Sequence, residues 1–160
     1  TLKPNSKLKM DTILKKSVFN EIMVIIEERI KTALQAIESA KESRDSEIKS
    51  SVGDKYETGR AMMQMELEKN RVQLNKALKL KNEFAQINFH KINRKVEFGS
   101  LVNASNGIYF ISIALGKLEI EGKTVYCISL ASPIGKLLQN KKTGDTFKFQ
   151  SKDISVLEIT

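Results

Sequence analysis

H-K-I-N-R-K, residues 90–95, is where one hydrophobic period stops and another starts. Working back from it, the chain from about residue 9 to residue 50 holds no Pro and no Gly. Its apolar residues recur at Phe19, Ile22, Ile26, Ile30, Ala33, Ile37 and Ala40, in steps of 3, 4, 4, 3, 4 and 3. That is a helical stripe of nearly heptad period. Past Ala40 the stripe fades, and Ile48 is the lone apolar residue in K-E-S-R-D-S-E-I-K-S-S. A second stripe follows Arg60: Met63, Leu67, Leu74, Ala77 or Leu78, Phe84 and Ile87, interrupted by Asn70 and Lys81. Two helices of similar length on either side of a short glycine-containing link predict an antiparallel hairpin. With one apolar seam, about 40 residues per arm give a two-helix coiled coil roughly 60 Å long.

Working forward from the joint, the period shortens. Residues 96–102, 108–115, 117–120 and 124–130 are runs rich in Val, Ile, Tyr and Phe, broken by N-A-S-N-G and E-G-K. In S-P-I-G-K-L-L-Q-N, Ser132 suits an N-cap and Pro133 the first helical position, so a short helix begins there. After K-K-T-G-D come two further runs, 146–150 and 154–159. The reading is α+β, with two domains. Residues 1–92 form an antiparallel coiled-coil hairpin with its tip near 50–58. Residues 93–160 form a mainly antiparallel sheet domain with one short helix.

Composition narrows the chemistry. Hydrophobic content is 41%, aromatic content 6%, and there is no Trp, which suits a chain with an elongated part better than one thick core. A single cysteine, Cys127, excludes an internal disulfide and a multi-Cys zinc site, and its strand-like setting predicts a buried, inert thiol. The one histidine, His90, stands without a second metal-ligating partner and is expected at a surface or hinge. The longest apolar run, I-M-V-I-I at 22–26, is far too short to cross a membrane. No signal peptide is read, so a cytoplasmic protein is expected. The net charge of +8 is uneven: residues 1–95 hold 20 Lys and Arg against 13 Asp and Glu, so +7, and residues 96–160 hold 7 against 6, so +1.

At the hairpin tip, S-S-V-G-D-K-Y-E-T-G-R at 50–60 places Asp54 and Glu57 three residues apart behind Gly53. That spacing suits the start of a helix. Asp54 as N-cap with Glu57 at N3 makes a capping box. Lys49, Lys55 and Arg60 lie around the same end and could contact RNA phosphates or serve as helix-surface ion-pair partners.

The second half resembles the C-terminal domain of the Gre-type transcript cleavage factors of bacterial RNA polymerase. V-E-F-G-S-L-V at 96–102, G-I-Y-F-I-S-I at 107–113 and I-S-L-A-S-P-I-G-K-L-L-Q-N-K-K-T-G-D at 128–145 carry the likeness. The resemblance implies an FKBP-like sheet domain that docks on the polymerase through Ser132, Pro133, Ile134 and Gly135. It implies a hairpin that enters the secondary channel, where Asp54 and Glu57 share a Mg²⁺ with the polymerase and help cleave backtracked RNA. The implied partners are RNA polymerase and, through it, the nascent RNA 3′ end. The free protein would be a monomer with no cofactor and no self-contained active site. The chain departs from the family pattern at Lys55, where an apolar residue is usual, at Thr58 in place of Asn, at Ala131 in place of an acid, and in a longer first helix. These departures leave open a non-cleaving relative that occupies the same channel and modulates transcription. A stand-alone prolyl isomerase would need an aromatic-lined cleft built from Phe98, Tyr109, Phe110, Tyr126, Phe147 and Phe149.

Overall fold

The computed structural model describes the backbone of residues 4–50 and 54–160, and the side chains of residues 11–46 and 57–160. Two long helices open the chain: α1, Pro4–Ser50, and α2, Asp54–Phe84. Six strands and one short helix follow: β1 Leu101–Ala104, β2 Gly107–Ile111, β3 Gly116–Ile120, β4 Lys123–Ile128, α3 Pro133–Leu138, β5 Thr146–Phe149 and β6 Lys152–Ile159. The fold is α+β, and each predicted helix and strand run has its counterpart.

By contacts the chain divides into two compact units: Met23–Glu83, and the start of α1 up to Ile22 together with Phe84–Thr160. In the first unit the two helices share one seam. Ile26, Ala33, Ile37 and Ala40 of α1 are buried, as are Leu67 and Ala77 of α2. Between the two candidates at the second stripe's centre, Ala77 takes the seam and Leu78 stays 39% exposed. Lys81, which interrupts the stripe, crosses to Glu27 at 2.7 Å. Such a surface pair contributes about 0–1 kcal/mol. Beside the seam, small or polar residues leave a groove of about 690 Å³, lined among others by Thr32, Ala33, Ala36, Asn70 and Ala77.

In the second unit the strand order is β3-β4-β2-β1-β6-β5. All neighbours are antiparallel except β2 and β4, which run parallel with Phe110 opposite Cys127. The exception is topological. The chain leaves β2, forms β3 at the sheet edge, and returns as β4 into the space between them. Local periodicity carries no trace of that skip. Tyr109 and Ile111 of β2 belong to a core cluster with Val102, Val156, Ile134 and Leu138, so α3 covers that face. Phe110 points to the other face, since successive side chains in a strand alternate. There it meets Phe84 edge-on, with ring centres 6.4 Å apart. Phe84 in turn stacks on Phe19 at 4.5 Å. The sheet is thus covered on its second face by the start of α1, where Leu14, Val18 and Ile22 are also buried.

The predicted first strand run, 96–102, becomes a turn before it becomes a strand. The Ser100 amide donates to the Glu97 carbonyl at 3.0 Å. Gly99, third in this turn, has φ +92. Only glycine adopts that value without strain. Phe98 is left at the corner, 39% exposed. Just before it, the Val96 amide donates to the Lys141 carbonyl at 2.8 Å, and the Asn140 amide donates to the Val96 carbonyl at 2.9 Å.

Candidate functional site

Sequence reasoning singles out two places, one in each unit. At the turn end of the hairpin, α2 begins at Asp54 and Glu57 lies in its first turn. Residues three apart in a helix are surface neighbours on one face. Glu57 and Arg60 are exposed. The side chains of Lys49, Asp54 and Lys55 lie outside the described residues, as does the backbone of Gly53, so the capping geometry expected for Asp54 does too. The donor set suits Mg²⁺ in kind: carboxylate oxygen on a solvent-facing helix start leaves room for the waters that ion retains.

The second place is the start of α3. Ser132 has extended backbone, φ −67 and ψ 156, and Pro133 follows at the first helical position. The Ser132 hydroxyl accepts from the Gly135 amide at 3.1 Å and donates to the Ser129 carbonyl at 2.7 Å. One side chain therefore satisfies an otherwise unpartnered helix-start amide and closes the preceding turn. Gly135 is required by space. A Cβ there would stand 2.1 Å from the Ser129 carbonyl oxygen and 2.7 Å from the Ser132 hydroxyl. Ile134 is buried in the core cluster beside Leu138. The four residues named for docking thus divide: Ile134 and Gly135 build the turn from inside, and Pro133, with its neighbour Ala131, is presented to solvent.

The remaining candidates are placed as follows. Cys127 is buried, and burial pushes its thiol up from 9.0 to about 12. A thiol so raised is not a nucleophile near neutral pH. His90 is exposed, its ring 4.1 Å from that of Phe89. For an isomerase cleft the aromatic residues are committed elsewhere. Phe110 is fully buried, Tyr109 lies in the core cluster, and Phe147 and Phe149 pack against that cluster. A cavity in this unit holds about 40 Å³ and is lined by polar groups including Asn103, Lys123 and Glu158, with no aromatic ring.

One residue escapes sequence reasoning altogether. Lys15 is fully buried, and its ammonium donates to the main-chain oxygens of Lys91 at 2.8 Å and Thr160 at 3.0 Å. Asn93 also donates to the Thr160 oxygen, at 3.3 Å. Desolvation, reinforced by the nearby Lys91 charge and opposed by Glu97, lowers Lys15 from 10.5 to about 8. A lysine at helical spacing carries no signal of such a site, because lysine is almost never fully buried.

No family model matches the chain, and no curated protein matches it. Among the described residues, no helix is long and apolar enough to cross a membrane.

Proposed function

We propose that this chain is a Gre-type transcription factor, which binds bacterial RNA polymerase at its secondary channel and stimulates cleavage of backtracked RNA. The observation that carries the reading is the position of the acid pair. Glu57, exposed, lies one turn from Asp54 at the turn end of a helical hairpin. The signature stretch at 128–145, whose start forms a tightly built turn with Pro133 outward, supports the docking role.

In this reading the chain is a cytoplasmic monomer. It supplies part of a catalytic centre, and the polymerase supplies the rest. Asp54 and Glu57 would hold a Mg²⁺ jointly with the polymerase, and when bound that ion supplies an activated water for hydrolysis of the RNA backbone. The chain's own tasks are to present two carboxylates on one helix face, to keep them hydrated until docking, and to orient a water by accepting its hydrogen bond. Lys49, Lys55 and Arg60 would meet RNA phosphates beside them.

The test uses stalled, backtracked elongation complexes supplied with Mg²⁺ and purified protein. Shortened RNAs with their 3′ ends removed are expected. Asp54→Ala and Glu57→Ala should each lose this activity while binding polymerase as the wild type does, and Pro133→Ala should weaken binding. Binding without any cleavage by the wild type would replace this reading with that of a non-cleaving channel occupant.

A further inference from the structure

We propose that the paired segments around Val96 and Lys141 form a surface for single-stranded nucleic acid, separate from the acid pair. Two hydrogen bonds between Val96 and residues 140 and 141 lay these segments side by side. That places Arg94 and Lys95 beside Lys141 and Lys142. Arg94, Lys95 and Lys142 are exposed, and Lys141 is half-buried. Four cations on two adjoining segments make a local site for an anionic ligand.

The nearby carboxylates are hydrogen-bonded elsewhere, although Glu97 lies close enough to Lys95 to feel its charge. Glu97 is held by Lys91 at 2.6 Å, and that hydrogen bond is the main reason its carboxyl titrates below the ordinary value. The Asp145 carboxylate accepts from the Lys142 main-chain amide at 2.7 Å. Among the described residues, none of the four cations forms an ion pair, whereas Lys81, Lys91, Lys117, Arg44 and Arg71 all do.

The neighbouring turn decides which polyanion fits. Phe98 sits at the corner of the 97–100 turn, two residues past the paired Val96, and 39% exposed. The Gly99 conformation that shapes this turn is fixed from behind by Ile87, whose Cγ2 lies 3.2 Å from where a Cβ would stand. Cations that track a phosphate backbone, next to an exposed ring on which a base stacks, are the two elements of sequence-tolerant single-strand binding. An acidic protein surface would use the cations and leave the ring without a role.

The experiment measures fluorescence anisotropy of a labelled single-stranded RNA of roughly 20 nucleotides with the full chain, from about 50 to about 200 mM salt. Binding is expected, with log affinity falling against log salt at a slope of about −3 for four phosphate contacts. Replacing Lys95, Lys141 and Lys142 by Glu together should weaken binding at least about thirtyfold. The same charge change at Lys31, Lys69 and Lys79 should weaken it less than about threefold, because phosphate contacts are local to the site. Phe98→Ala should cost roughly tenfold and leave the slope unchanged. Thermal melts of the exposed-residue variants should match the wild type. Absence of binding at the lowest salt, an equal loss in the charge-matched control, or a poly-glutamate peptide competing as well as RNA would each overturn the proposal; the last would assign the surface to an acidic protein. The assay contains no polymerase, so its outcome is independent of the cleavage test.

Discussion

Lys15 holds three stretches of chain together through one ammonium group, and its chemistry fixes the sign of a pH effect. In the folded protein it titrates at about 8 against 10.5 for an ordinary lysine. Between those values the unfolded chain binds more protons than the native one, so this group makes stability rise with pH there. Below about 8 both states are protonated and the cost of the buried charge is felt in full. The wild type should therefore gain urea resistance between pH 8 and pH 10 relative to Lys15→Met, in which this contribution is absent. Taking the difference between the two proteins cancels the other titrating groups. At neutral pH, Lys15→Met should still be the less stable, since it leaves the Lys91 oxygen without its donor, while the Thr160 oxygen keeps Asn93 and the Leu101 amide. An unsatisfied buried acceptor costs about 1–3 kcal/mol, partly offset by removal of the buried charge. Equal urea midpoints across the pH range would refute this account of Lys15.

At the scale of elements, α3 shows how a short helix is secured at its first turn. Its six residues cannot hold a helix by propensity, so the start must be fixed from outside. Ser132→Ala should cost about 1 kcal/mol, the usual worth of an N-cap. Gly135→Ala should cost more, about 2–3 kcal/mol, because the backbone carbonyl it meets cannot swing away as a side chain could. Urea titration of both variants checks the order, and a smaller loss for Gly135→Ala would show that the turn can open. The helix start at Ser132 and Pro133 was legible in the sequence, because capping is a local rule. The need for glycine at Gly135 was not, because it arises from the approach of Ser129. The same division holds elsewhere. The two long helices were readable from their stripes, since burying one face imposes the 3.6-residue period. The choice of Ala77 over Leu78 depended on how α1 and α2 pack. The parallel pairing of β2 with β4 depended on where β3 goes. At the hairpin tip the D-x-x-E spacing was readable, whereas its metal role came from the resemblance.

At the scale of the whole molecule, the start of α1 is part of the sheet's core. Leu14, Val18 and Ile22 are buried in the same unit as the strands, and Phe19 stacks on Phe84. A domain boundary drawn by period alone cuts through this set, because the helical stripe continues unbroken while its packing partner changes. A fragment of residues 84–160 loses four apolar partners, each worth about 1.5–3 kcal/mol when fully buried. The sum rivals the whole net stability of a domain this size, at about 0.05–0.15 kcal/mol per residue. The fragment should accordingly lack a cooperative melt and bind a hydrophobic dye, whereas adding residues 11–22 as a separate peptide should restore part of the transition. A sharp melt for the fragment alone would show that the sheet's second face needs no cover.

The Lys15 clamp also sets an order in time. Its two partners lie 76 and 145 residues downstream. At 5–20 residues per second, ribosomes need on the order of ten seconds to make the more distant one. Throughout that interval the apolar side of early α1 waits without the strands that will cover it, and this is when a nascent chain is most open to chaperones or to aggregation.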